Sequence, residues 1–192
     1  MIALAFNTPT SAIHAPRRLC RPFSDLRADA VPSLWLSSRG RRIIVTRTRN
    51  GYACSISLRP SDAGLRIGWL PLASLRRLVL PPSPPSAWIG IWRGATSQQE
   101  QSISIHRVGA TLVARGLDVF DDPYYRAQNM IPTGDFQGRI RLAGNRAKVL
   151  LAKYDPCRVS AWLFGDDLLV ADNDRCGGIN VTFRGIYRRS RP

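Results

Sequence analysis

Cys157-Arg158-Val159-Ser160-Ala161-Trp162-Leu163-Phe164-Gly165-Asp166-Asp167-Leu168-Leu169-Val170-Ala171-Asp172-Asn173-Asp174-Arg175-Cys176 reads as two short apolar strands joined by a Gly-Asp turn, with a cysteine at each outer end. Glycine and aspartate tolerate the backbone angles of a tight turn, so the stretch is expected to fold as a β-hairpin. A Cys157–Cys176 disulfide would pin it, and closing a loop of this length contributes about 3 kcal/mol. Trp162 and Phe164 share one face of the first strand, opposite Val159, Ala161 and Leu163. Either that strand is buried on both sides, or the two rings form an exposed patch. The chain closes with a further strand expected over residues 179–188. This ending indicates an all-β domain, an oxidising compartment and a structural use of cysteine.

Working back toward residue 88, strands are expected over 88–93, 101–107, 110–117, 134–142 and 147–152. The turns between them fall at sites such as Val108-Gly109 and Gly144-Asn145. In the fourth, Phe136, Gly138, Ile140 and Leu142 share one face while Asp135, Gln137, Arg139 and Arg141 share the other, as in a strand wet on one side. About eight antiparallel strands in residues 88–192 fit a small closed meander or a sandwich, and closure removes exposed edges.

Pro81-Pro82-Ser83-Pro84-Pro85-Ser86 marks a linker over residues 81–87. Dense proline favours extended polyproline II geometry, so a semi-rigid spacer between two β-modules is expected, with a proline-rich SH3 ligand as the functional alternative. Ahead of it, Ile43-Ile44-Val45-Thr46 and residues 52–58 are strands around the hairpin signal Asn50-Gly51. Residues 1–40 contain prolines and no sustained period, and are expected to be disordered or irregular. Their opening Met1-Ile2-Ala3-Leu4-Ala5-Phe6 is similar to a signal peptide but lacks a basic start and a long apolar run. The competing expectation is a misassigned start.

Two resemblances follow. The hairpin, then Gly68-Trp69-Leu70-Pro71, then a short turn ending at Leu75, resembles the bacterial SH3-like module. The match covers residues 41–80, which implies a partial module lacking its N-terminal strands. Gly90-Ile91-Trp92 resembles the Gly-x-Trp that opens lipocalins and other calycins. That resemblance implies that Trp92 closes the barrel base under an arginine of the last strand, Arg188 in the first instance, with Arg184 and Arg189 as alternatives. Together the segments resemble an uncharacterised family of exported bacterial proteins, which implies a periplasmic or secreted location and transfers no activity.

Arginine dominates the net charge of +15, with 13 arginines against 3 aspartates before Trp88 and 15 basic against 10 acidic residues from there on. A nucleic-acid binder gathers such charge on one face with aromatics for stacking, whereas these arginines are scattered through turns and strands. Codon bias in a GC-rich genome explains the arginine excess as well. No apolar run approaches the length of a membrane span, so no transmembrane helix is expected. The four cysteines form no C-x-x-C and lie away from His14 and His106, which argues against zinc. Cys54 is expected to be a buried free thiol rather than a partner of Cys20.

His106 falls on the wet face of its strand beside Ser104 and has no nameable partner for base catalysis. No Gly-x-Ser-x-Gly is present. Asp166, Asp167, Asp172, Asn173 and Asp174 could hold Ca²⁺, but such residues also make tight turns, and turn chemistry is expected. Tyr124 and Tyr125 lie in a longer connection suited to ligand contact or to a disordered lid. Asn180-Val181-Thr182 matches the glycosylation sequon, but a place inside a strand argues against modification. Gly177-Gly178 is too short to cradle phosphate. The reading that results is a non-enzymatic, exported or envelope-associated binding module without cofactor or metal, taking an envelope component or a small apolar ligand. An envelope hydrolase or hydrolase inhibitor and a cationic nucleic-acid binder are the alternatives.

Overall fold

A computed structural model describes residues 19–21, 32–58, 66–94 and 100–190. They form two all-antiparallel sheets. The first has five strands, β1 (Ser33–Ser37), β2 (Arg42–Arg49), β3 (Tyr52–Ser57), β4 (Ile67–Pro71) and β5 (Leu75–Leu78), in the order β4-β3-β2-β1-β5. Asn50 (φ 48°) and Gly51 (φ 75°) both adopt the left-handed conformation that a two-residue hairpin turn needs, which sets Arg49 opposite Tyr52. A 3₁₀ turn, Leu72–Ser74, carries the chain from β4 across to β5, which pairs with β1. Strand β1 lies inside the stretch expected to be irregular. Its short Ser33-Leu34-Trp35-Leu36-Ser37 repeat is legible only through its partners on both sides. Apart from residues 19–21 and 32–40, the stretch of that expectation, and both readings of the opening residues, lie outside the described residues.

The second sheet is a closed barrel of β6 (Gly90–Gly94), β7 (Ser102–Val108), β8 (Thr111–Val119), β9 (Thr133–Ala143), β10 (Arg146–Leu150), β11 (Val159–Phe164), β12 (Asp167–Asp172) and β13 (Gly185–Arg189). Each strand pairs with its sequence neighbour, and β13 closes on β6. The eight-strand meander is therefore the fold of residues 90–189. On β9 the expected alternation holds: Phe136 is buried between exposed Asp135 and Gln137. Gly116 lies opposite Phe136, and a Cβ there would sit 2.2 Å from its ring, so glycine leaves the ring its place.

Side chains fill the barrel. Trp88, Trp92, Phe183, Tyr187, Leu168 and Val170 have no measurable exposure, and Phe136 meets Phe183 edge to face at 4.7 Å. At one end Trp92 donates its indole N–H to the Trp88 carbonyl (3.0 Å), and a guanidinium lies 4.3 Å over its ring. That guanidinium belongs to Arg189, not Arg188, and it also donates to the carbonyls of Ala87 and Ile89. Arg188 points away, toward Asp167 (3.4 Å) and the Leu58 carbonyl. The choice between neighbours follows from the two-residue period of a strand: Arg189 pairs with Trp92, while Arg188 pairs with Arg93.

The strand expected over 179–188 shrinks to β13. Residues 181–184 instead cross the other end of the barrel, their backbone held by side chains. Asp118 accepts from Thr182 N–H (2.9 Å), Gln101 donates to the Thr182 carbonyl, and Asp172 accepts from Phe183 N–H (2.7 Å). Asn180 accordingly sits in an exposed turn at φ 63°, and the argument from a strand position against modification fails.

The two sheets share a core. Leu34, Ile44, Ile56 and Leu58 pack against Trp162, Phe164, Leu169, Ala171 and Ile186 on the outside of the barrel, so β11 and β12 are buried on both sides. Of the two readings of the Trp162/Phe164 face, burial is correct. The proline segment is no spacer between separated modules: Asn145 accepts from Ser83 N–H (2.6 Å) and donates to the Pro81 carbonyl (2.9 Å), which lays it against the barrel. Arg42 bridges the same boundary to Asp167 at 3.1 Å.

Cys157–Cys176 is a disulfide and pins the β11–β12 hairpin. Cys20–Cys54 is a second disulfide, so the expectation of a free thiol at Cys54 is wrong. Its partner sits in a stretch without pattern, from which no pairing can be read. No helix among the described residues is long and apolar enough to cross a membrane.

Candidate functional site

A groove of about 340 Å³ opens on the five-stranded sheet. The β1–β2 turn supplies Arg39 and Arg41, and the residue before β4 supplies Arg66; all three are exposed at its rim. Ile43, 5% exposed, and half-buried Leu70 supply an apolar floor, part of the small core that Val45, Ala53 and Trp35 complete. Serines line the remainder, and local bonds fix several of them. Ser37 Oγ accepts from Arg41 N–H (3.1 Å), Ser55 Oγ donates to the Gly68 carbonyl (2.8 Å) and Ser74 Oγ donates to the Pro71 carbonyl (2.7 Å). Hydroxyls keep a second hydrogen-bonding capacity beyond the bond they make, so this rim offers donors as well as positive charge.

No ion pair joins Arg39, Arg41 or Arg66 to a described carboxylate. From Pro32 to Leu80 the chain carries nine arginines and one acidic residue, Asp62, which lies outside the described residues. On the other face of β4 from the groove-lining Gly68 and Leu70, half-buried Trp69 has the Arg47 guanidinium 5.4 Å from its ring centre. A surface of arginines over a shallow apolar floor attracts anions at long range and can hold them by paired N–H donors. Splitting the charge only at Trp88 hid this site. A narrower window over the first sheet would have exposed it.

The acidic cluster is organised by arginines. Asp172 is bonded to Phe183 N–H, Thr182 Oγ1 (3.2 Å) and Arg184 (3.2 Å), Asp174 pairs with Arg184, and Asp167 pairs with Arg42 and Arg188. Asn173 ties Arg158 N–H to the Pro156 carbonyl. These residues close the hairpin and the barrel end, a larger task than making turns. Burial pushes the Asp167 carboxyl above its ordinary range even against Arg42 and Arg188. Burial likewise raises Asp118, opposed by the Thr182 N–H and by a hydrogen bond from the Gln101 side chain. Tyr187, donating to the Phe183 carbonyl at 3.0 Å, is held well above its usual value by burial and then by the charges of Asp118 and Asp172.

Tyr124 and Tyr125 lie on a short helix, α1 (Pro123–Ala127), capped by Asp122, which accepts from Tyr124 N–H at 2.8 Å. Tyr124 is 67% exposed, whereas Tyr125 packs edge-on against Phe120 and its hydroxyl accepts from Asn180 (3.3 Å). The connection is thus built rather than irregular, and it lies on the barrel, away from the Arg/Ser groove. His106 is exposed on β7 opposite Val113. Gly177 packs on Gly134 beneath Val181, a close approach that serves packing.

Comparison with protein-family models, with curated proteins and with solved structures found no match to this chain.

Proposed function

We propose that this protein is an exported, non-enzymatic binding module that holds an anionic component of the cell envelope against the Arg/Ser groove of its first sheet. One observation carries the reading: Arg39, Arg41 and Arg66 ring an apolar-floored groove with no described carboxylate to neutralise them. Uncompensated charge of this kind costs self-repulsion unless a partner supplies the opposite sign. The filled barrel supports the same view, because its interior side chains leave the outer surface and loops for contact. Two disulfides support an oxidising, periplasmic or secreted setting.

The strand order β4-β3-β2-β1-β5 with a 3₁₀ turn before the last strand supports an SH3-like origin of the first sheet, complete in its five strands. The meander with Arg189 over Trp92 supports a calycin-like origin of the barrel. Titration with polyphosphate and with a neutral glycan tests the function. Polyphosphate should bind with an affinity that falls steeply with salt, and Arg39→Ser and Arg66→Ser should each weaken it about tenfold, the loss of a charged hydrogen bond. Equal binding of the neutral glycan, or indifference to both substitutions, would sink the reading.

A single-stranded nucleic acid is the second reading, favoured by Trp69 beside Arg47 on the same sheet. Tighter binding of DNA than of polyphosphate, with quenching of Trp69 fluorescence, would select it.

A further inference from the structure

A second groove, also about 340 Å³, runs along the boundary between the sheets, where the end of β5 faces the β9–β10 turn and β11. Its walls are apolar: Leu34 and Phe164 are 3% and 5% exposed, with half-buried Leu78 and Val79 toward the mouth, the latter 89% exposed. Ser33, Arg77 and Asn145 add polar groups to the lining, and two further side chains stand out by their buried donors. Trp162, 3% exposed, keeps its indole N–H buried with no acceptor among the described residues, and half-buried Arg146 likewise keeps its Nε and Nη2 buried and unanswered. The two are stacked, the guanidinium 5.6 Å from the ring centre, so three unanswered donors are gathered at one place.

Native interiors almost always pair such groups, and each one left unmade costs free energy. Arginine cannot escape by losing its proton, so its charge calls for a counter-charge. No carboxylate among the described residues lines the groove, and the other arginine lining it, Arg77, adds to the same sign. All of the missing partners are acceptors and at least one is anionic, while Leu34, Leu78, Val79, Leu80 and Phe164 supply a hydrocarbon stretch beside the polar Ser33, Arg77 and Asn145. The volume lies at the lower end for a small-molecule site.

We infer that this groove binds a medium-chain fatty acid, its carboxylate accepting from Arg146 and Trp162 and its chain lying along Leu34, Leu78 and Phe164. The site is distinct from the Arg/Ser groove, and it lies outside the barrel. Occupation would bridge the two sheets, because the head is held by barrel residues and the chain partly by residues of β1 and β5.

Calorimetric titration of the full chain with decanoate and with decanol, both below their aggregation range, tests it. Decanoate should bind and raise the melting temperature, and decanol should bind at least tenfold more weakly, since it lacks the anionic head. Arg146→Met should lower decanoate affinity about tenfold or more, in keeping with a charged hydrogen bond. Trp162→Phe keeps the ring, removes one donor and should cost a smaller factor, and it decides the matter if the arginine variant does not fold. Excess polyphosphate should leave decanoate binding in place, which separates this site from the Arg/Ser groove. Equal binding of decanol and decanoate, no binding of either, or affinity unchanged in the folded variants would overturn the inference and leave ordered water as the partner of these donors.

Discussion

The two sheets solve the problem of a β-fold differently. The barrel pairs every strand on both edges and encloses Trp88, Trp92, Phe136, Phe183 and Tyr187 in one core, with arginines matched by aspartates at its ends. The five-stranded sheet has two edges, β4 and β5, a small core around Ile43, Val45 and Ala53, and an almost unopposed set of arginines. It adds to that core by resting Leu34, Ile44 and Ile56 on the barrel. Stability is therefore concentrated in the barrel, and the element that leans on it carries Arg39, Arg41 and Arg66 with no described carboxylate to pair them. That arrangement lets the first sheet present a cationic surface that its own core would support poorly.

Neighbouring leucines offer the sharpest way to break this comparison. Leu168 and Leu169 are both fully buried, but Leu168 points into the barrel and Leu169 toward the first sheet. Each Leu→Ala change should cost about 2–5 kcal/mol. Hydrogen exchange should differ: Leu168→Ala should raise exchange around the whole barrel, whereas Leu169→Ala should free the first sheet ahead of the barrel. Matching patterns would mean that the two sheets unfold as one unit.

The disulfides come next. By loop closure alone, Cys157–Cys176 and Cys20–Cys54, with separations of 19 and 34 residues, stabilise by about 3 and about 4 kcal/mol. Replacing Cys20 and Cys54 by serine should shift the urea midpoint of a probe in the first sheet, such as Trp69 fluorescence, more than that of the barrel. The Cys157/Cys176 pair should move the barrel.

The smallest effect concerns the barrel end. Asp118 has a raised folded-state pKa, so the folded protein binds a proton more readily than the unfolded chain, and stability falls as pH rises from the unfolded value of 3.8 through the raised value. Asp118→Asn keeps an acceptor for Thr182 N–H and removes the buried charge. It should raise Tm at pH 7 by a few degrees, about 1 kcal/mol, and the gain should vanish as pH falls through that window. A variant less stable than the parent at pH 7 would mean that the charge is needed where it sits.

The barrel was readable where its strands alternate and its turns carry glycine or asparagine, as in residues 134–145, and β11 and β12, buried on both faces, were readable as short apolar runs around Gly165. β1 was not readable, because a five-residue strand between patternless neighbours has no period of its own. The arginine over Trp92 was left among Arg184, Arg188 and Arg189 with Arg188 put first, since the sequence identifies an arginine on the last strand but register decides that Arg189 faces Trp92. Trp162 and Phe164 were left between two readings because period-2 alternation assigns faces and is silent on what covers them. The arginine excess behind the first groove is legible over residues 32–80, but the lining of neither groove is, because each depends on residues brought together from separate strands and turns, such as Arg39 with Arg66 and Leu34 with Arg146.

Local chemistry in the chain determined the all-β class, the eight strands of the barrel, the hairpin at Asn50-Gly51 and the Cys157–Cys176 staple, because alternation and turn residues act over a few neighbours. Tertiary structure alone decided that the first sheet docks on β11 and β12, that Cys20 meets Cys54 and that half-buried Arg146 stacks on Trp162 with its Nε and Nη2 unanswered among the described residues. Those outcomes turn on long-range packing, where the position of each side chain depends on surfaces contributed from the other end of the chain.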